Sequence, residues 1–186
     1  MKKTIVLVLL ALTYSIAASW AQGTNEQASG TKLEALSSKT GVVVIRGLAP
    51  VGALNGKAGD GTSPAHVLIF AVEYVTDGNL AKLQGIEVSV SERDRTARFS
   101  IDYDEIEGLL RAVDLFRKAD GKATKFKDIE AKFLTRGGLR LVTFPSAKPD
   151  VYVIETSSVT VGFDGPEFDK FKEILAKAKG KLDEHP

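Results

Sequence analysis

Four carboxylates, Asp102, Asp104, Glu105 and Glu107, fall just ahead of a stretch with helical periodicity. Paired carboxylates can relay a proton or hold a hard cation. At a helix start they also complement the positive end of the helix dipole, by about 0.3–1 kcal/mol per group. The segment lacks the Gly and closing Glu of a calcium loop, so the folding role outweighs the chemical one. A second set is cationic: Arg93, Arg95 and Arg98 on one expected hairpin, Arg136 and Arg140 on another. Arginines interleaved with stacking aromatics would follow a single-stranded nucleic acid. Here Glu92 and Asp94 interrupt the first group, and Tyr103 is the one polar aromatic nearby. A charged edge that resists sheet-to-sheet pairing is the simpler reading.

Other chemistries are not signalled. The chain has no cysteine, which removes disulfides, thiolate metal sites and cysteine nucleophiles. His66 and His185 lie far apart, without partners at metal-ligand spacing. No serine has a Gly-x-Ser-x-Gly context. Gly56-Lys57 is followed by Ala58, where a phosphate loop needs Ser or Thr, and leads into an expected strand rather than a helix. No catalytic, metal or cofactor-binding residue is therefore assigned and no cofactor is expected. The carboxylates and arginines above stand as surface candidates.

The elements that must position them follow from periodicity. Ile86, Val88 and Val90 alternate with polar residues, Glu92-Arg93-Asp94 reads as a hairpin tip, and Ala97, Phe99 and Ile101 return. Asp104 then reads as a helix N-cap, with Glu107 three residues on completing an Asp variant of the capping box. Ile106, Leu109, Leu110, Val113 and Phe116 form one apolar stripe, Arg117 and Lys118 occupy the last turn, and Gly121 is the stop. Upstream, Leu33–Lys39 could make a short helix and Val42–Leu48 a strand. Gly52–Ser63 carries four glycines in twelve residues and reads as a long, mobile loop. Ala65–Val75 is apolar on both faces, as a covered central strand would be, and Asp77-Gly78-Asn79 breaks it.

The same outline recurs downstream. Strands are expected at Asp128–Thr135 and Leu139–Phe144 around a Gly137-Gly138 turn, and, after an interruption at Pro145–Pro149, at Val151–Thr156 and Val159–Phe163. Asp164 and Glu167 repeat the cap, and Phe168, Phe171, Ile174, Leu175, Ala178 and Leu182 make a second stripe. The expected fold is α+β: a tandem repeat of three to four antiparallel strands plus one helix, in units of about 33–122 and 123–186. The two units would be related by a pseudo-twofold axis, with the helices packed on antiparallel sheets.

This order of elements is similar to that of Whirly-type single-stranded DNA-binding proteins, which implies nucleic-acid binding as one alternative. Separately, Leu36-Ser37-Ser38-Lys39-Thr40-Gly41, Ile101-Asp102-Tyr103-Asp104-Glu105-Ile106 and Phe133-x-Thr135-x-Gly137-Gly138 resemble a family of secreted bacterial proteins with no assigned activity. That resemblance implies export and fold alone.

Met1-Lys2-Lys3, the apolar run Ile5–Leu12 and the small residues around Ser19-Trp20-Ala21 have the layout of an export signal cut before Gln22. The run is shorter than the roughly 20 apolar residues of a spanning helix, so no transmembrane segment is expected after cleavage. Residues 22–32 are polar and read as a flexible leader, and 33–186 as a single domain. Positive and negative side chains nearly balance, which implies neither nucleic acid nor an anionic membrane as an obligatory partner. The expected function is that of an exported, non-enzymatic binding or interaction module, periplasmic or extracellular, with an envelope or extracellular partner. A homo-oligomer is compatible with that reading. An envelope enzyme using Asp102–Glu107 is the other alternative.

Overall fold

A computed structural model describes residues 30–77, 81–120, 122–126, 128–145 and 151–184. The expected signal, Gly78-Asn79, Gly121, residues 146–149 and His185 lie outside them. The chain first forms the short helix α1 (Lys32–Ser37), which carries a capping box. The Thr31 hydroxyl accepts the Glu34 amide at 3.1 Å, and the Glu34 carboxylate accepts the Thr31 amide at 3.0 Å. Thr31 is buried, so order begins earlier than the polar composition of 22–32 suggests.

Four long strands follow: β1 (Val44–Ala58), β2 (Pro64–Thr76), β3 (Lys82–Glu92) and β4 (Arg95–Asp102). A 3-10 turn, Tyr103–Glu105, leads into α2 (Ile106–Lys118). Four short strands, β5 (Ala131–Leu134), β6 (Arg140–Thr143), β7 (Tyr152–Glu155) and β8 (Thr160–Phe163), precede α3 (Gly165–Asp183). All strands belong to one eight-stranded antiparallel sheet in the order β4-β3-β2-β1-β8-β7-β6-β5. The fold is thus α+β, one large sheet with three helices.

Both long helices lie on the same face of the sheet. The stripe Ile106, Leu109, Ala112, Val113, Phe116 of α2 and the stripe Phe168, Phe171, Ile174, Leu175, Ala178, Leu182 of α3 meet Val67, Ile69, Val88, Leu141, Ile154 and Val161 in one core. The opposite face of β2 is covered only near its end, where Val72 and Tyr74 pack against Leu33 and Leu36 of α1. The two-sided apolarity of β2 is therefore met by two different partners. Leu68 on the uncovered stretch stays exposed.

The segment Gly52–Ser63 is not a long loop. β1 pairs with β2 from Val44↔Thr76 to Lys57↔Pro64, with one register shift between Pro50 and Gly52, and only residues 59–63 turn. The glycines serve close packing instead. A Cβ on Gly52 would stand 2.7 Å from Ile174 of α3, and one on Gly56 would stand 2.5 Å from Val161 of β8. The long antiparallel ladder offsets the backbone entropy that these glycines cost.

Candidate functional site

The sheet brings the carboxylates to the end of β4 and gathers partners around them. Asp102, the last residue of β4, pairs with Gly85 of β3. A Cβ at Gly85 would sit 2.6 Å from Leu33, so glycine there lets α1 lie on the sheet. Asp102 can then accept the Lys32 amide at 2.8 Å and the Leu33 amide at 3.1 Å. The β5–β6 hairpin closes from the other side: a Cβ on Gly137 would be 2.1 Å from the Ser100 carbonyl oxygen, and Gly138 has φ 82°. This approach delivers Arg136.

The Arg136 guanidinium lies 3.4 Å from Asp102 and 3.3 Å from Glu105 and forms an ion pair with Asp104, while its amide donates to Glu105 at 2.8 Å. Lys32 Nζ adds an ion pair to Asp104 at 2.9 Å. The Lys32 and Arg136 hydrogen bonds hold the Asp104 carboxyl below the usual carboxylate range. Burial works to lower the Arg136 pKa but is outweighed by Asp104, Glu105 and Asp102, so the guanidinium pKa is raised. A carboxylate so held gives up no proton near neutrality, which a general acid must do. Glu107 points elsewhere, mostly exposed and 3.7 Å from Lys179 on α3.

The cap differs from the expectation. The Glu105 carboxylate reaches back to the Asp102 amide at 3.3 Å, Asp102 precedes the 3-10 turn, and α2 begins only at Ile106. Asp104 is an ion-pairing residue rather than an N-cap. At α3 half of the expectation holds: the Asp164 carboxylate accepts the Glu167 amide at 3.0 Å, but the Glu167 carboxylate takes the Asn55 amide instead of closing a capping box. In urea denaturation, Asp164→Ala is expected to cost about 0.5–2 kcal/mol, as lost caps do. Asp104→Ala, which removes exposed pairs, should cost under about 1 kcal/mol. Equal losses would contradict this division of roles.

The arginines do not form a stripe. Arg93, at the β3–β4 turn with φ 54°, pairs with Asp60 and donates to the Ser63 hydroxyl. Arg95 pairs with Glu92 at 2.7 Å, and Arg140 with Glu155 at 2.8 Å. Arg136 belongs to the carboxylate cluster. Arg98 is exposed and has no ion pair among the described residues. Asp60 is a residue whose role the sequence reading missed. Its carboxylate accepts the Ser63 and Thr62 amides, which with the Ser63 hydroxyl and Arg93 hold its pKa well below the usual range. An Asp two and three residues ahead of such amides is the available signal for this turn.

The most ligand-like feature is a groove on the face of the sheet opposite α2 and α3, where β1 and β8 meet only at Lys57↔Gly162 and Ala58↔Val161. It encloses about 600 Å³, within the size range of small-molecule sites. Asn55 and Lys57 form one wall, Val151 and Val153 the other, and Gly162 leaves the floor open; Asp164 and Glu167 close one end. The Asn55 amide oxygen is 3.0 Å from His66 Nδ1, which steadies that wall.

No family model, curated protein or solved structure matches the chain. Among the described residues no helix is long and apolar enough to cross a membrane.

Proposed function

We propose that the protein is an exported, non-enzymatic binding module of the cell envelope or its exterior that takes an apolar group into the groove between β1 and β7–β8. The observation that carries this reading is the contrast between the two candidate regions. The carboxylate cluster is consumed by Arg136, Lys32 and backbone amides. The groove offers about 600 Å³ with Val151, Val153 and the bare Gly162 facing it, one cation, Lys57, and the carboxylates Asp164 and Glu167 at one end. Export rests on the layout of residues 1–21. The dispersed candidate arginines, all but Arg98 paired with carboxylates, lend no support to nucleic-acid binding.

We also infer that the sheet is a tandem of two copies. Each run of four strands keeps the same internal order in the sheet and is followed by a long helix. Asp102 and Asp164 stand at corresponding helix starts, and Leu109, Ala112 and Phe116 correspond to Phe168, Phe171 and Leu175. A pseudo-twofold relation between the copies would place the two helices side by side on one face.

The groove can be tested with an apolar fluorophore such as an anilinonaphthalene sulfonate, whose anion would meet Lys57. Gly162 has room for a side chain, with only the Lys57 carbonyl oxygen at 3.9 Å. Gly162→Leu should fill the groove, reducing fluorophore binding at least tenfold while the melting temperature changes little. Undiminished binding by Gly162→Leu, or no binding by the wild type, would remove the groove from consideration.

A further inference from the structure

We propose that the free edge of β1 is a homodimer interface, along which two copies of the chain join antiparallel, strand to strand, over Val42–Ala49. β1 is interior in the strand order, yet β8 reaches it only at Lys57 and Ala58. Near that junction the Glu167 carboxylate takes the Asn55 amide at 3.3 Å. From Val44 to Leu54, no described strand lies on the side of β1 away from β2.

That edge has unmet hydrogen-bonding capacity of defined parity. The Val43 carbonyl accepts the Asp77 amide at 3.1 Å, so odd-numbered residues here face β2. Alternation then turns the N–H and C=O groups of Val44, Arg46 and Leu48 outward. Pro50 follows at the same parity, where its missing N–H costs the sheet nothing, as prolines on edge strands do.

The edge is also apolar on both sides. Val43 and Ile45 are 63% and 62% exposed on one face, Leu48 is 48% exposed on the other, and Val42, in the bend before β1, is 38% exposed. Its single charge, Arg46, is drawn back across the sheet into an ion pair with Glu87 and lies 5.8 Å from the Tyr74 ring. Sheet edges that stay free are short, charged or covered. The other two edges obey that rule: β4 carries Arg95 and Arg98 and is met by the hairpin at Gly137, and β5 is four residues long. β1 does not.

A second copy is the occupant these features fit. The chain between the expected cleavage point and Gly30 reads Gln-Gly-Thr-Asn-Glu-Gln-Ala-Ser and has no large apolar side chain to cover Val43 or Ile45. β1 itself supplies the complementary parity and surface. A twofold axis at Ile45 sets Ile45 against its symmetry mate, Val43 against Gly47 and Val42 against Leu48. Arg46 then faces Val44. An axis at Arg46 would place two guanidinium groups directly opposite each other, which is destabilising. Such an interface is isologous and closes at two copies.

Light scattering after size exclusion should give the purified protein twice the monomer mass, and Val43→Lys/Ile45→Lys should halve it while leaving the circular dichroism spectrum of the fold in place and the melting temperature no longer dependent on protein concentration. Ile45→Cys introduces the only thiol of the chain. Ile45 and its mate form a non-hydrogen-bonded pair with Cα atoms about 4.5 Å apart, within disulfide range. Mild oxidation should therefore cross-link Ile45→Cys and leave Leu68→Cys, exposed but off the edge, uncrosslinked. A wild type that is monomeric at NMR concentrations would overturn the proposal. So would a dimer that survives both lysines, or an Ile45→Cys variant that cross-links no better than Leu68→Cys. The cysteine pair keeps the test decisive if the double lysine variant fails to fold.

Discussion

Asp102→Ala is expected to cost about 3 kcal/mol, although Asp102 looks in sequence like one member of an acidic surface cluster. Its carboxylate is 4% exposed and accepts the amides of Lys32 and Leu33, the first residues of α1. Truncation orphans two donors at a helix start, and each unsatisfied buried group costs about 1–3 kcal/mol. Asp102→Asn keeps an acceptor oxygen but weakens the attraction to Arg136, and should cost about 1–2 kcal/mol. The check is a urea midpoint shift at constant slope, combined with amide exchange. Lys32 and Leu33 should exchange freely in the Ala variant while β2 and β3 remain protected. The reading fails if Asp102→Ala leaves the midpoint unmoved, or if Asp102→Asn abolishes a measured activity at full stability.

Two depressed carboxylates, one in this cluster and one in the β1–β2 turn, contribute to the acid response. The Asp104 carboxyl is depressed below its ordinary value of 3.8 by the Lys32 and Arg136 hydrogen bonds, and Asp60 is depressed by the amides of its own turn. Depressed carboxylates bind fewer protons in the folded state than in the unfolded state. Their contribution is therefore complete above about pH 4 and is lost as pH falls through the folded values. The Lys32–Asp104–Arg136 contacts beside α1 and the Asp60 turn should loosen in acid before the β2–β3 core.

What the sequence made legible was local. The period of 3.6 gave the buried faces of α2 and α3 nearly residue for residue, because Leu109, Val113 and Phe116 can share a side only in a helix. The hairpin at Arg93-Asp94 and the glycine turn at Gly137-Gly138 were equally legible. The length of β1 was not. Glycine is costly in an isolated strand, and nothing near Gly52 or Gly56 in sequence reveals Ile174 or Val161 pressing against them. The cap was misplaced because two Asp-x-x-Glu registers overlap, Asp102…Glu105 and Asp104…Glu107. Only Leu33, Lys32 and Arg136, distant in sequence, decide between them. The groove was illegible for the same reason, since its walls come from Asn55 and Lys57 on one side and Val151 and Val153 on the other.

Phe168→Ala is expected to be the most destabilising single truncation in the core, at about 3–5 kcal/mol. Phe168 is 1% exposed and lies where three elements meet. Its ring stacks on Tyr152 of β7 at 4.1 Å between centroids and 8° between planes, and stacks at 6.5 Å on Phe116 of α2. Phe171 of α3 packs beside it at 6.1 Å. The Tyr152 hydroxyl, in turn, accepts from Arg117 at 2.8 Å, and Arg117 reaches Asp169 at 2.8 Å, which ties the end of α2 to the start of α3. Removing the ring thus opens a cavity and also frees Tyr152, whose position holds Arg117. Coupling should be visible in a double-mutant cycle: Phe168→Ala and Arg117→Ala together should cost less than the sum of their separate losses, because the first already loosens the second's partner. Strict additivity, or a loss below about 1 kcal/mol for Phe168→Ala alone, would mean that the two helices are joined chiefly elsewhere along α3.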